Sequence, residues 1–384
     1  MIGKYRAERA ISPADESVAW VVVDNSFALH TEASSFLAGL RAAGRSSNTE
    51  RVYAGRVALY LSWCAERGVD WSRAGLLDLG RFLRWLVAEP LPARSWKHAT
   101  EPRYRKESTA NAVITAVCEF LRFGSRHGWV PLEVAALLSE PKYLSHLPTG
   151  YNAGEDGQFR TVRARSLKFT TAQEGYEWLT DDQVDRLVAA TGRARDRFLV
   201  ALLACTGVRI GEALGLRRED MHLLSHSGTL GCPVAGPHIH VRRRRHNANG
   251  ALAKSRVPRW IPVTEDVVSL YADYQFERVQ IRQADDTDMV FVNLFRGPLG
   301  RPMTYASVKD LFDRLARSIG FPARPHMLRH SAATRWVRAG VDRDVIQTLM
   351  GHASSASMDQ YLHATDQDLR DAVERVGAAR GGSW

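Results

Sequence analysis

The chain has 384 residues, 45% of them hydrophobic, which is enough to bury more than one core and excludes a disordered protein. Its 52 basic and 42 acidic residues leave a formal charge of +10, pointing to a polyanionic partner, nucleic acid first, although a merely basic protein has the same balance. The first twenty residues hold no apolar run, no stretch reaches the length of a bilayer span, and the four cysteines (Cys64, Cys118, Cys205, Cys232) form no CxxC pair. Secretion, a membrane partner and a disulfide scaffold are therefore not expected, and a reducing cytoplasm is.

Residues 1–30 read as an N-terminal extension with one short strand at 17–24, where β-branched residues and Trp dominate. Residues 31–140 read as a small helical bundle. Ala33, Phe36, Leu37 and Leu40 form the first apolar stripe. Ser47 and Glu50 have capping-box spacing ahead of a second stripe, Tyr53, Val57, Tyr60, Leu61 and Cys64, which Gly68 closes. Leu79, Phe82, Leu83 and Leu86 make a third stripe, and Val113, Val117, Phe120 and Leu121 a fourth. Between the last two lies a basic stretch with Lys97, Arg103, Arg105 and Lys106 interleaved with Trp96 and Tyr104. It is a candidate phosphate-contacting loop, although a solvated loop looks the same. Residues 141–178, punctuated by Pro and Gly without a period, read as a linker.

A second domain spans 179–384, opening at a capping box, Thr180 to Gln183. An apolar helix follows from Phe198 to Cys205, ended by Thr206-Gly207. Residues 238–263 read as two strands joined by a turn at Asn249-Gly250, a strong hairpin signal. Arg242 to Arg245 would alternate along the first of these, so two of the four, Arg242 and Arg244, can face one side; Arg256 stands on the returning strand. The stretch 221–240 is rich in His, Gly and Pro. Its His222, His226, Cys232, His238 and His240 make a zinc site conceivable, but their spacing fits no standard ligand set, so no metal site is expected. Val308, Leu311, Phe312 and Leu315 mark another helix, and Leu369, Ala372, Val373 and Val376 mark a tail helix over 366–380. The fold class is thus mainly α with a small antiparallel sheet.

Several polar residues of the second domain stand out in order. Arg209 follows a Gly break at a helix start, where a guanidinium and backbone donors together suit an anion. Lys254 lies near the expected hairpin tip. His326 and Arg329 share a helix face at i, i+3. Gly351 can end a helix before His352, and Tyr361 follows nine residues later. Each alone is ordinary. In sequence they supply what phosphoryl transfer at a phosphodiester needs: cations and imidazoles for the equatorial oxygens, a hydroxyl nucleophile and a lysine acid. No carboxylate cluster of two-metal type accompanies them.

These segments resemble the catalytic domain of the tyrosine recombinases. TGVRIGEALGL is similar to the family's first arginine box, with Arg209 and its acidic neighbour Glu212; Lys254 precedes Pro262 as the family's hairpin lysine precedes its proline. PHMLRHSAAT resembles the His-x-Leu-Arg-His box, and LMGHASSASMDQYLHAT the box that ends in the nucleophile. The helical segment 31–140 is similar to the core-binding, SAM-like domain, and RRRRHNANGALAKS resembles the transposon-borne branch. The resemblance implies a nucleoid-associated site-specific recombinase that clamps double-stranded DNA and acts as a homotetramer on two sites. By the same resemblance Tyr361 attacks the scissile phosphate to give a 3′-phosphotyrosine, Arg209, Arg329, His326 and His352 stabilise the transition state, and Lys254 protonates the leaving 5′-oxygen. Neither ATP, a metal nor another cofactor is implied. Two alternatives stay open: a DNA-binding regulator of the same fold without catalysis, and a type IB topoisomerase.

Overall fold

The computed structural model describes residues 3–92, 102–145, 160–171, 177–244, 247–255 and 257–351, together with 147, 152, 154 and 156. Lys97, Arg256, His352, Tyr361 and the expected tail helix lie outside the described residues. The chain divides into two compact units, Met1–Gln173 and Glu174–Trp384. No helix among the described residues is long and apolar enough to cross a membrane.

The first unit is built on α1 (Thr31–Ala42), α2 (Ser47–Glu66), α3 (Leu76–Ala88) and α4 (Glu107–Arg126), with a short α5 (Leu132–Leu137). The four apolar stripes turn inward: Phe36, Leu37, Val57, Leu61, Phe82, Leu86, Val117 and Phe120 share one core. Cys64 and Cys118 sit in it as buried free thiols. Burial pushes the Cys64 thiol up to about 12, so it stays protonated and packs as a small hydrophobe.

Two local expectations shift. The cap of α2 is Ser46, whose Oγ accepts from the Thr49 N–H at 3.2 Å. Glu50 is buried and does not reach back along its own helix; it accepts from the Trp20 N–H and from Arg41 Nη1, each at 2.9 Å. It is drawn away by the residues ahead of the helix. The strand at 17–24 is β2 (Val18–Asp24), and it pairs antiparallel with β1 (Tyr5–Ile11), which has no apolar alternation to reveal it. Val22 of β2 is fully buried in the helical core, and the Tyr5 N–H donates to Ser62 Oγ at 2.9 Å. The opening residues therefore pack on the first unit's core, through Val22, Tyr5, Ala7 and Trp20, and are not an appendage to it. The segment read as a linker likewise contains structure: β3 (Ser139–Tyr143) pairs antiparallel with β4 (Thr161–Arg165). Side-chain bonds tie its far end to α4, where Asn111 donates to the Phe169 carbonyl and accepts from the Phe169 N–H.

The second unit is centred on α7 (Ala194–Thr206), whose Phe198, Leu199, Val200, Leu202 and Leu203 are all 0% exposed. A helix apolar on every side must be enclosed, and burying each such side chain is worth roughly 1.5–3 kcal/mol. Around it stand α6 (Asp181–Ala189), α9 (Glu265–Arg278), α10 (Tyr305–Ile319) and α11 (Pro325–Arg338). The Thr180–Gln183 box closes in both directions, at 3.0 and 3.3 Å. Arg278, only 1% exposed, donates to the carbonyls of Ala284, Thr287, Met289 and Val290, and so fixes the segment that follows α9.

A three-stranded antiparallel sheet of β5 (Met221–His222), β6 (His238–Val241) and β7 (Arg259–Pro262) completes the unit. The β6–β7 ladder runs from His238↔Pro262 to Val241↔Arg259 and stops. Asn249-Gly250 is thus not a two-residue hairpin turn but the middle of a long loop. Residues 242–258 lack the alternation a ladder needs, and side chains hold the loop instead. The Asn249 amide donates to the Leu214 and Met303 carbonyls at 2.9 and 2.8 Å.

Candidate active site

The site begins where α7 ends. Gly207 takes the left-handed conformation (φ 61°), and a Cβ there would lie 3.1 Å from Met350 Sδ and 3.2 Å from the Ala332 Cβ. Only glycine meets both demands. The chain then turns into α8 (Ile210–Ala213), at whose head stands Arg209. Glu212 reaches back to it, accepting from the Arg209 N–H at 3.0 Å and from Nη1 at 3.2 Å. The same buried carboxylate accepts from Arg259 Nη2 at 2.8 Å. Burial pushes the Glu212 carboxyl up, but the hydrogen bond and charge of Arg259, with those of Arg209, more than offset it. The group is held below the ordinary glutamate range and stays ionised.

Arg329 enters from α11. It is 1% exposed and donates to the Gly207 carbonyl at 2.5 Å and to the Met350 carbonyl at 2.7 Å. Arg209 Nη1 also points at the Met350 carbonyl, at 3.4 Å. Met350 is the last residue of α12 (Arg343–Met350), whose final carbonyls carry the negative end of the helix dipole. Arg259 Nε takes the preceding carbonyl, of Leu349, at 2.9 Å. Three arginines from three elements therefore converge on one helix end. Gly351 follows in the left-handed conformation (φ 60°), and a Cβ on it would lie 2.6 Å from Arg259 Nη1.

His326 stands in the first turn of α11, three residues before Arg329. Desolvation first, then the charges of Arg329, Arg209 and Lys254, lowers its pKa, so the imidazole is neutral at neutral pH. Arg209 and Arg329 meet at the Met350 carbonyl, and the Lys254 charge adds the smallest share to the field at His326. The Lys254 loop lies against α8, because Gly211 has no side chain to hold it off: a Cβ there would meet the Leu252 carbonyl at 2.8 Å. Lys254 itself is exposed. Arg209 and Arg259 bring two guanidinium groups to the carboxylate of Glu212, and Arg329 adds a third cation beside them at the Met350 carbonyl, an arrangement suited to an anion.

Of the sequence-derived residues, Arg209, Lys254, His326 and Arg329 come together, while His352 and Tyr361 lie just past Gly351, outside the described residues. Sequence reasoning missed Arg259. Its signal was parity: on β7 it shares a face with Ile261 and is 9% exposed, and a buried arginine requires an acidic partner. The candidate DNA contacts scatter. Arg103 and Lys106 are exposed, whereas Arg105 is half-buried over Trp85 and donates to the Leu86 carbonyl. Arg242 and Arg244 lie beyond the end of β6 and not along it. Arg244 is paired with Glu219 and Asp220 at 2.6 and 2.7 Å, with 16% of its side chain exposed, so its charge is already neutralised. Arg242 keeps a looser 3.7 Å approach to Asp220 and is 47% exposed.

Similarity to known proteins points the same way. The chain is 28% identical over 363 residues, 93% of each chain, to transposase A of transposon Tn554 from Staphylococcus aureus. It is 26% identical over 337 residues to the tyrosine recombinase XerD of Chlorobaculum tepidum, covering 88% of this chain and 92% of that one. Two solved structures share its fold. The lambda integrase dimer bound to a core site aligns with TM-score 0.57 and 15% identity over 93% of this chain and 97% of that one. The Tn1549 transposon integrase in complex with transposon right end DNA aligns with TM-score 0.56 and 18% identity over 90% and 99%. Residues 33–128 match the phage integrase N-terminal SAM-like domain. Residues 177–368, half of the chain and the part that carries the arginine cluster, match the phage integrase family, and the chain belongs to that family of tyrosine recombinases.

Proposed function

We propose that the protein is a site-specific recombinase that cuts and rejoins duplex DNA through a phosphotyrosine, and that it serves a mobile element. The observation that carries this reading is the shared hold of Arg209 and Arg329 on the Met350 carbonyl. It fixes the chain two residues before His352 against the cations that would receive a phosphate. Tyr361 attacks the scissile phosphorus; a tyrosyl–phosphorus bond forms and the bond to the 5′-oxygen breaks. Arg209 and Arg329 hold the non-bridging oxygens, Lys254 gives its proton to the leaving 5′-oxygen, and a histidine, the neutral His326 or else His352, takes the phenolic proton. Attack by a 5′-hydroxyl of the partner strand reverses these steps on new ends, so the phosphodiester energy is kept. Four chains on two DNA sites supply the four cleavages that exchange requires. Arg103 and Lys106 of the first unit and Arg242 of the second are the exposed candidates for backbone contact.

A nicked duplex that loses the short fragment bearing the 5′-hydroxyl after cleavage traps the covalent adduct. Wild-type protein is expected to accumulate it and Tyr361→Phe to form none. A wild-type chain that binds DNA yet yields no adduct would be a regulator. Relaxation of supercoiled plasmid with no recombinant product would make it a topoisomerase.

A further inference from the structure

We infer that His222, Cys232, His238 and His240 form a closed structural site for zinc within the second unit. Their ligand atoms all lie within 4.8 Å of one another. His238 and His240 are two apart on β6 and so project from the same face; His222 stands directly opposite His238 in the β5–β6 ladder. Cys232 closes the set from the intervening loop. The linear spacing matches no standard ligand pattern because strand parity and cross-strand pairing assemble the site, with no knuckle or helix involved.

The distances are those of a tetrahedral ion. Zn–N of about 2.05 Å and Zn–S of about 2.3 Å place neighbouring nitrogens about 3.3 Å apart and sulfur about 3.6 Å from nitrogen. Cys232 Sγ is 3.4 Å from both His238 Nε2 and His240 Nε2, and those two nitrogens are 3.1 Å apart. The outer hydrogen bonds orient the rings. His238 Nδ1 meets the Gly236 carbonyl at 2.7 Å and His222 Nε2 the Glu219 carbonyl at 3.2 Å, so both of these nitrogens are protonated and the opposite ones offer lone pairs. His222 Nδ1 is buried with no hydrogen-bond partner, and the residue is 7% exposed. An orphaned acceptor beside two imidazoles and a thiol is costly without a cation, and a cation satisfies all four. Binding forms a Zn–S bond, releases the thiol proton to solvent and moves no electrons. Four protein ligands leave no open position, so the ion is structural: it holds the 223–237 insertion on the sheet whose strand β6 leads into the Lys254 loop.

The experiment is metal analysis of the full-length protein, purified without chelator or a metal-binding tag. About one zinc per chain is expected, lost in Cys232→Ser and His238→Ala and retained in His226→Ala, which alters a histidine outside the cluster. Cobalt substitution of the wild type is expected to give the visible bands of tetrahedral cobalt together with a thiolate-to-cobalt charge-transfer band. This measurement decides the matter even if the variants fail to fold. A wild-type protein that carries no zinc and binds neither Zn2+ nor Co2+ with a thiolate signature overturns the site, as does zinc retained in both ligand variants.

Discussion

Glu212→Gln tests how the arginine cluster is held. The substitution keeps the side chain's shape but removes its charge and turns one of its two acceptor oxygens, both of which accept from arginines, into an amide donor. In the native site the carboxylate accepts from Arg259 Nη2 at 2.8 Å, with side-chain exposures of 6% and 0%, and from the Arg209 N–H at 3.0 Å. A hydrogen bond to a charged group is worth about 1.5–3 kcal/mol and a neutral one about 0.5–1.5, so the bond from the Arg209 N–H weakens by roughly 1–1.5; the Arg259 bond falls from an ion pair to a bond with one charged partner and loses a similar amount. The Arg209 guanidinium, 25% exposed, is solvated in part and adds less than about 1 kcal/mol. The sum is about 3 kcal/mol, a large share of a typical stability of about 5–15 kcal/mol but compatible with a folded protein.

Urea denaturation of wild type and variant measures this difference, and its pH dependence isolates the carboxylate. Because the folded-state pKa of Glu212 is lowered, its contribution is fully present above the ordinary value of 4.5 and is lost as the pH falls through the lowered folded value. The gap between the two proteins should therefore be constant from neutral pH down to about that value and shrink below it. Trapped-adduct formation should slow by tenfold or more, since about 1.4 kcal/mol of lost positioning already accounts for a factor of ten. A double-mutant cycle with Arg259→Ala should show coupling of about 1.5–3 kcal/mol. Equal stability at pH 7, or a gap independent of pH, would refute the claim that this ion pair holds the site.

Gly351→Ala forces a Cβ to within 2.6 Å of Arg259 Nη1 in a left-handed backbone and should cost about 1–3 kcal/mol and most of the cleavage. Gly320→Ala, equally left-handed but with nothing near, should show the backbone cost alone in the same melts and leave cleavage unchanged. Arg278→Met takes a donor from four carbonyls, of which Val290 keeps the Tyr274 hydroxyl, and should destabilise by about 3–5 kcal/mol in urea titration. Single-turnover cleavage should keep its rate down to a limb below pH 6.5, the ordinary histidine value, because His326 titrates lower still; the limb should vanish in His326→Gln. Arg103→Ala should flatten the salt dependence of DNA binding by about one unit, whereas Arg244→Ala should leave the slope unchanged, because Glu219 and Asp220 already neutralise that charge.

The helices were legible because their apolar residues recur at a spacing that only a helix brings to one face. Phe82 and Leu83, or Leu311 and Phe312, need no knowledge of what they pack against. β1 was not legible for the complementary reason. Tyr5–Ile11 is exposed or half-exposed throughout, and its pairing with β2 and with Ser62 is decided by residues far along the chain. The Asn249-Gly250 signal misled because such a dipeptide specifies a tight turn only when the flanking residues alternate. Here Asn249 has a stronger use, donating to two carbonyls of distant segments.

The candidate site divides along the same line. Arg209, Lys254, His326 and Arg329 could be picked out because phosphate chemistry requires those side chains and short local patterns mark them. Of the groups that position them, Glu212 alone shares such a mark, three residues after Arg209. Arg259 and Glu212 face each other across 47 residues of sequence, and the Met350 carbonyl, the point on which Arg209 and Arg329 both bear, is a backbone atom that any residue would supply. The zinc ligands follow this logic as well: His222 and His238 are distant in sequence and become partners only once the β5–β6 register is fixed. Residues that act on a ligand must be of particular types, so the sequence exposes them. Residues that hold the first set in place need only reach, and reach is a property of the fold.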